Sequence, residues 1–367
     1  MRRLFVATGA GLGVVEPDGS AEVRLEGMKA QCLAVREGVA YCGTFGQGLW
    51  KSADGGITWA QVGEGIPYGE VMAVAVSDGV VWAGTEPSAL FRSEDGGRTW
   101  QERPSLRTIP SAPTWSFPPR PWTHHVRWIA PDPNAAERLY VAIELGGVMK
   151  SEDGGMTWED RKPGAKLDAH TLSTHRLAPG RLFEAAGDGY AETRDGGASW
   201  QAADGGLPWR YLWGLAADPA DPATLMVSAS PGPRHAHDAR WVDEGIGGWH
   251  RGMSGEGGAE ARRPLPFQAG PPPWAGYEWR GPEASLQRRV GDGPWAPVTD
   301  GLPAARGTLA YVLATHDAEP HVFYASPASN AIYRSADAGR SWEAVPVAWP
   351  EGFADRRVNA LAVAELG

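Results

Sequence analysis

The sequence predicts an all-β chain folded as a seven-bladed propeller, and three observations predict it. An eight-residue segment recurs five times, as Ser52–Trp59, Ser93–Trp100, Ser151–Trp158, Thr193–Trp200 and Ser335–Trp342. The copies start 41, 58, 42 and 142 residues apart, and repeat periods of about 20–50 residues mark propellers or solenoids. The 367 residues include 49 Gly, 31 Pro and 18 Trp, the composition of many short strands joined by tight turns.

Each copy reads Ser/Thr-x-Asp-x-Gly-x-Thr/Ser-Trp, with a second glycine or alanine beside the Gly. A short strand-like run precedes it, such as Leu49-Trp50-Lys51, Leu90-Phe91-Arg92, Val148-Met149-Lys150 or Ile332-Tyr333-Arg334. The Asp accepts hydrogen bonds from amides of its own turn, and the glycines supply positive φ. The Trp has a large apolar body that needs burial. The segment is therefore a hairpin turn between the third and fourth strands of a blade. Asp54, Asp95, Asp153, Asp195 and Asp337, with Trp59, Trp100, Trp158, Trp200 and Trp342, are read as structural.

With strands lettered A to D from the axis outwards, the first blade is Cys32–Val35, Val39–Gly43, Leu49–Lys51 and Trp59–Val62. The second is Val71–Val76, Val80–Gly84, Leu90–Arg92 and Trp100–Glu102, and the third His125–Ala130, Leu139–Ile143, Val148–Lys150 and Trp158–Asp160. The fourth is His170–His175, Arg181–Ala185, Tyr190–Glu192 and Trp200–Ala202. The fifth opens with Tyr211–Ala216 and Leu225–Ser230 and resumes at Ser285–Arg289 and Trp295–Val298. The sixth is Ala310–Ala314, Val322–Ala325, Ile332–Arg334 and Trp342–Val345. Val358–Val363 supplies strand A of a seventh blade, and Leu4–Ala7, Gly13–Val15 and Ala21–Leu25 supply B to D. That closure removes the open edge between the first and last blades. Residues 1–367 thus read as one propeller domain, with an insertion at about 231–283 and a long top-face loop at about 103–122.

Formal net charge is −10, from 34 basic and 44 acidic residues. This excludes nucleic acid and an anionic membrane as main partners. No run of 18 apolar residues exists, which predicts no spanning helix. Met1-Arg2-Arg3 and the apolar stretch after it are needed as strands, so a cytoplasmic location is expected rather than export. A two-residue turn at Glu37-Gly38 sets Val35 opposite Ala40 and Leu33 opposite Cys42. Cys32 then faces away from Cys42, which predicts two thiols and no disulfide.

Strand direction divides the loops. D–A and B–C connections share one face, the top, while A–B connections and the repeated turns share the bottom. The repeated Asp residues therefore lie on the bottom rim, away from the axis. Both insertions and six of the nine histidines fall on the top. Strand A lies nearest the axis, so top-face residues at its start converge on a central funnel, a default ligand site. Candidate catalytic residues are Glu144, Asp168 and His170, the two carboxylates suiting glycoside chemistry. Candidate ligand-binding residues are His124, His125, Arg127, Tyr190, Tyr211, Trp213, His235 and His237. Trp115, Trp122, Trp128, Trp209, Trp213 and Trp274 are candidate stacking platforms for sugar rings. A divalent metal is the candidate cofactor, with His124, His170, His235, His237 and Asp168 as candidate ligands.

The repeated segment resembles the Asp-box, or bacterial neuraminidase repeat, found in sialidases, family 74 xyloglucan hydrolases, sortilin-type receptors and photosystem assembly factors. The resemblance covers nearly the whole chain outside 231–283. Sialidases carry an Arg-Ile-Pro motif, whereas here Ile66-Pro67 and Ile109-Pro110 follow Gly65 and Thr108. That departure argues against a sialidase. The xyloglucan enzymes look like two facing propellers, so their paired acid and base cannot be carried onto this single one. The nearest likeness is to single-propeller bacterial proteins labelled glycosyl hydrolase-like. The resemblance implies a propeller binding a small polar or carbohydrate-like ligand, with hydrolase or lyase chemistry. The alternatives are a scaffold engaging a protein partner through the two insertions, and a metal-dependent enzyme.

Overall fold

A computed structural model describes residues 2–117, 123–237, 280–327, 331–354 and 356–365. Their strands form seven antiparallel sheets, each built from consecutive segments except one. In the exception, Val358–Glu365 pairs with Arg2–Thr8, which continues through Gly11–Val15 to Ala21–Arg24. The two ends of the chain therefore share a blade and close the ring, as expected. Among the described residues no helix is long and apolar enough to cross a membrane.

The repeated turns form as their sequence dictates. In the first, Gly56 N–H donates to Ser52 Oγ (2.8 Å), Thr58 N–H donates to Asp54 Oδ1 (2.9 Å), and Gly55 and Gly56 have φ of +70° and +97°. The Trp59 indole N–H donates back to the Gly56 carbonyl at 3.1 Å. The same Ser/Thr–Gly and Thr/Ser–Asp bonds recur in the other four copies. These bonds hold Asp95, Asp153 and their counterparts below the usual carboxylate range.

Seven apolar clusters fill the spaces between neighbouring blades. Phe183, Ala185 and Tyr190 of the fourth meet Leu212, Leu215 and Val227 of the fifth, for example. The clusters containing Leu4, Val6 and Val363, and Phe5, Leu12 and Ala364, join the closing blade to its two neighbours. Stability is thus distributed around the ring, with no single central core. Leu33 pairs with Cys42 and Val35 with Ala40, and both cysteines are free thiols.

Two details differ from expectation. The third blade has three strands, and its fourth position is reduced to a bridge between Lys150 and Glu159. The loop beginning at Arg103 does not start out over the top face. It forms two short 3₁₀ turns, Pro104–Thr108 and Ala112–Thr114, and buries Leu106, Ile109 and Trp115 between the second and third blades. Residues 118–122, and so Trp122, lie outside the described residues, as does most of the 231–283 insertion, including Trp274. What is described of that insertion leaves strand Asp221–Ser230 through a short helix, Pro233–Ala236, and returns into Ser285–Val290.

The innermost strands share a device that alternation does not reveal. Near its top end, register skips a residue at Gln31, Met72, Arg127 and His170 in blades one to four. It skips again at Trp213-Gly214 in the fifth blade and at Asn359 in the seventh. A β-bulge leaves its extra residue out of the ladder and re-aims the side chain. Here the repeated bulges bring Gln31, Met72, Arg127, Trp213 and Asn359 to the mouth of the axial channel.

Candidate functional site

The channel is a cavity of about 110 Å³ lined by innermost strands of all seven blades, with Cys32, Val74, Ile129, Leu215 and Leu361 among its apolar walls. It opens at the top into a polar mouth lined by Gln31, Phe117, His125, Arg127, Glu144, Arg357 and Asn359. Gln31, Met72, Arg127, Trp213 and Asn359 line both, so the two spaces adjoin.

On one side of this mouth stand Glu144, Asp168 and His170, which are 9%, 7% and 0% exposed. His170 Nδ1–H donates to the Leu212 carbonyl at 2.6 Å, since a carbonyl only accepts. Nε2 is thereby directed at Asp168 Oδ1 (3.5 Å) and Glu144 Oε1 (4.0 Å). Burial opposes a charge on His170, but Asp168 and Glu144 outweigh it, and its pKa lies above the ordinary histidine value. The other Glu144 oxygen meets His125 Nε2 at 2.9 Å and Arg127 Nε at 3.6 Å. Burial alone would raise the Glu144 pKa, but His125, His170 and Arg127 pull it down to about 2. His125 Nδ1 lies 3.4 Å from Glu86 Oε2.

Trp213 forms the second side. The Arg127 guanidinium lies 4.5 Å from its ring centroid and that of Arg357 at 5.8 Å, while His170 and His237 pack at 4.8 and 4.4 Å. Arg357 Nη2 donates to His237 Nδ1 (2.9 Å), so neutral His237 presents Nε2–H to Tyr211 Oη at 3.0 Å. Burial, then the Arg357 charge, pushes His237 well below the usual histidine range. Burial and the charges of Asp168 and Glu144 push Tyr211 well above the tyrosine range.

The mouth therefore gathers Glu144, Asp168, His170, His125, Arg127, Trp213, Tyr211 and His237. Other candidates fall elsewhere. Tyr190 is buried between blades four and five, where its hydroxyl donates to Glu192 (2.7 Å) and its ring packs against Trp295. His124 packs edge-on to Trp115, away from the carboxylates, and burial lowers its pKa. His235 sits on the short helix, buried. The stacking platforms are not free surfaces. Trp115 belongs to the core, Trp128 and Trp209 pack against inter-blade clusters, and Trp213 is wrapped by cations and rings. Among the metal candidates only Asp168 and His170 come together, joined by Glu144. The donor atoms of these three lie within 4.8 Å of one another.

Arg357, Asn359, Gln31, Glu86 and Phe117 were not singled out by sequence reasoning. Arg357 and Asn359 flank the start of the seventh blade's innermost strand, as His125 and Arg127 do in the third. Aligning those starts across the blades is the signal that finds them.

No protein-family model matches the sequence, and no curated protein matches it. Solved structures do match in fold. The Xanthomonas campestris GH74 xyloglucanase superposes with a TM-score of 0.60 at 14% identity, covering 98% of this chain and 52% of that one. The Niastella koreensis GH74 enzyme gives 0.59 at 14% identity, covering 93% and 46%. This chain spans about half the length of those enzymes. YCF48 bound to the D1 peptide gives 0.54 at 13% identity, covering 94% and 85%. At such identity these likenesses establish a β-propeller fold alone.

Proposed function

We propose that this propeller binds a small, anionic, carbohydrate-like ligand at its axial mouth. The observation that carries the reading is the convergence of Arg127 and Arg357 on one mouth with the amides Gln31 and Asn359. Guanidinium groups pair with carboxylates in two-point geometry, and amides satisfy hydroxyls. Neutral sugar stacking is the weaker version, because among the described residues no indole presents an open face there.

His125, His170 and Arg127 hold the Glu144 pKa below its ordinary value, which suits Glu144 to a base or nucleophile role in hydrolase or lyase chemistry better than to the role of proton donor. His170, whose pKa is raised by Asp168 and Glu144 against the effect of burial, suits the acid role in the metal-free protein. The free thiols Cys32 and Cys42 suit a reducing compartment and support a cytoplasmic location.

Calorimetric titration with D-glucuronate, D-glucose and citrate tests the reading. Glucuronate binding that is lost in both Arg127→Ala and Arg357→Ala supports it. Absence of binding, or binding unchanged in both variants, overturns it. A protein partner is the second reading, drawn from the peptide-bound neighbour of similar length. Removing residues 238–279 spares His237, so a pull-down lost in that variant with melting unchanged favours the partner.

A further inference from the structure

We infer that Glu144, Asp168 and His170 form a site for one divalent transition-metal ion at the edge of the axial mouth. The site adjoins the arginine pair through the 3.6 Å contact of Glu144 with Arg127, but it does not depend on the ligand proposed above. Its first support is the donor set. One imidazole and two carboxylates suit borderline and harder divalent ions such as Zn²⁺ and Mn²⁺.

The second support is His170 Nε2, a fully buried nitrogen with no hydrogen-bond partner. Because Nδ1–H is committed to the Leu212 carbonyl, Nε2 of the neutral ring offers a lone pair. That lone pair faces two carboxylate oxygens at 3.5 and 4.0 Å. These separations exceed the roughly 2.7–3.2 Å of a normal N–H···O bond. They are close to the spacing of donors sharing one ion, which at bond lengths of about 2.0–2.2 Å stand some 3–4 Å apart. All three donor atoms lie within 4.8 Å of one another, so the side chains must close inward to share one ion.

The surroundings supply the outer contacts that metal sites use. A ligating histidine ordinarily donates its other N–H to a carbonyl or carboxylate, and ligating carboxylates are themselves hydrogen-bonded. His170 has Leu212, and the far oxygen of Glu144 has His125 at 2.9 Å. Asp168 Oδ2 occupies the space where a side chain at residue 187 would sit. A Cβ on Gly187 would come within 1.9 Å of it. Glycine at that position makes room for the carboxylate.

The competing account places a proton on Nε2, giving an imidazolium between two anions and no metal. Untagged protein stripped with EDTA and titrated with ZnCl₂ and with MnCl₂ separates the two accounts. The expected result is one equivalent of metal per chain retained through dialysis, counted by plasma mass spectrometry. Glu144→Gln and Asp168→Asn each weaken it at least 100-fold, and His125→Gln weakens it about 10-fold through loss of an outer contact. A Co²⁺ titration of the wild type, read by its visible d–d bands, covers the case in which the variants do not fold. No stoichiometric uptake by the wild type, or uptake unchanged in folded Asp168→Asn, overturns the site. Both readouts use ligand-free protein, so failure of glucuronate binding leaves them intact.

Discussion

Asp168 Oδ1 and His170 Nε2 face each other at 3.5 Å, two positions apart where the chain enters Ala169–Thr174, the strand that opens the fourth blade. In a regular strand residues i and i+2 point the same way but stand well apart. The bulge at His170 pairs Ala169 with Ala186 and Thr171 with Ala185, leaving His170 outside the ladder. That extra residue turns the imidazole back toward the carboxylate. The pair is therefore a product of backbone irregularity and not of strand periodicity.

Gly187→Ala tests how tightly the pair is held. The added methyl would sit on the Asp168 carboxylate, which must rotate away from His170. The expected outcome is unchanged far-ultraviolet circular dichroism with at least a 10-fold loss of Zn²⁺ affinity. Wild-type affinity in a folded variant would show that Asp168 is not positioned by this contact.

Glu192→Gln addresses the interface in which Tyr190 lies. Burial opposes the Glu192 charge, but hydrogen bonds from Tyr190 and Arg194 and the charges of Arg289 and Arg181 hold its pKa below the ordinary value. A depressed carboxyl stabilises the fold above its unfolded pKa, and that contribution fades as pH falls through the folded value. The substitution is expected to cost about 1–3 kcal/mol at pH 7. Urea titrations of both proteins should converge below about pH 4.5. A difference that persists at low pH would assign the loss to packing.

Ser93→Ala removes the buried hydroxyl that accepts the Gly97 amide and donates to Asp95. Leaving that amide without a partner is expected to cost about 1–2 kcal/mol. Equilibrium unfolding measures it, and ligand and metal binding should not change, because this turn is on the opposite face from the mouth.

Ala338→Gly should stabilise. Ala338 has a φ of +61° at the position where the other four turns carry glycine. Left-handed backbone costs a residue with a Cβ about 1–2 kcal/mol. Glycine's greater unfolded freedom returns about 0.5–1 of that, so a net gain of up to about 1.5 kcal/mol is expected in urea titration. Unchanged or lower stability would show that the turn is relaxed around alanine.

The repeated turns made blade phase legible, because each marks the same point of a four-strand unit. From phase followed strand direction, and from direction the top face that holds Glu144, Asp168 and His170. Register in the first blade was readable from Glu37-Gly38, and Leu33 does pair with Cys42. Tyr190 went astray for a physical reason. Its backbone begins a strand at the top, but its side chain turns into the space between blades four and five. The bulges were not legible. Innermost strands are apolar on both sides, so an extra residue breaks no alternation that a reader can see. For the same reason Asn359 and Gln31 looked like ordinary strand residues.

The seven inter-blade clusters and the row of bulged residues divide the chain's work between two sets of positions. Gln31, Met72, Arg127, His170 and Asn359 stand outside their ladders, and none belongs to an inter-blade cluster. A change at one of them alters what the mouth presents while the ring beneath keeps its packing. Blades of one plan can thus carry an asymmetric set of side chains, one slot in each of the six bulged blades.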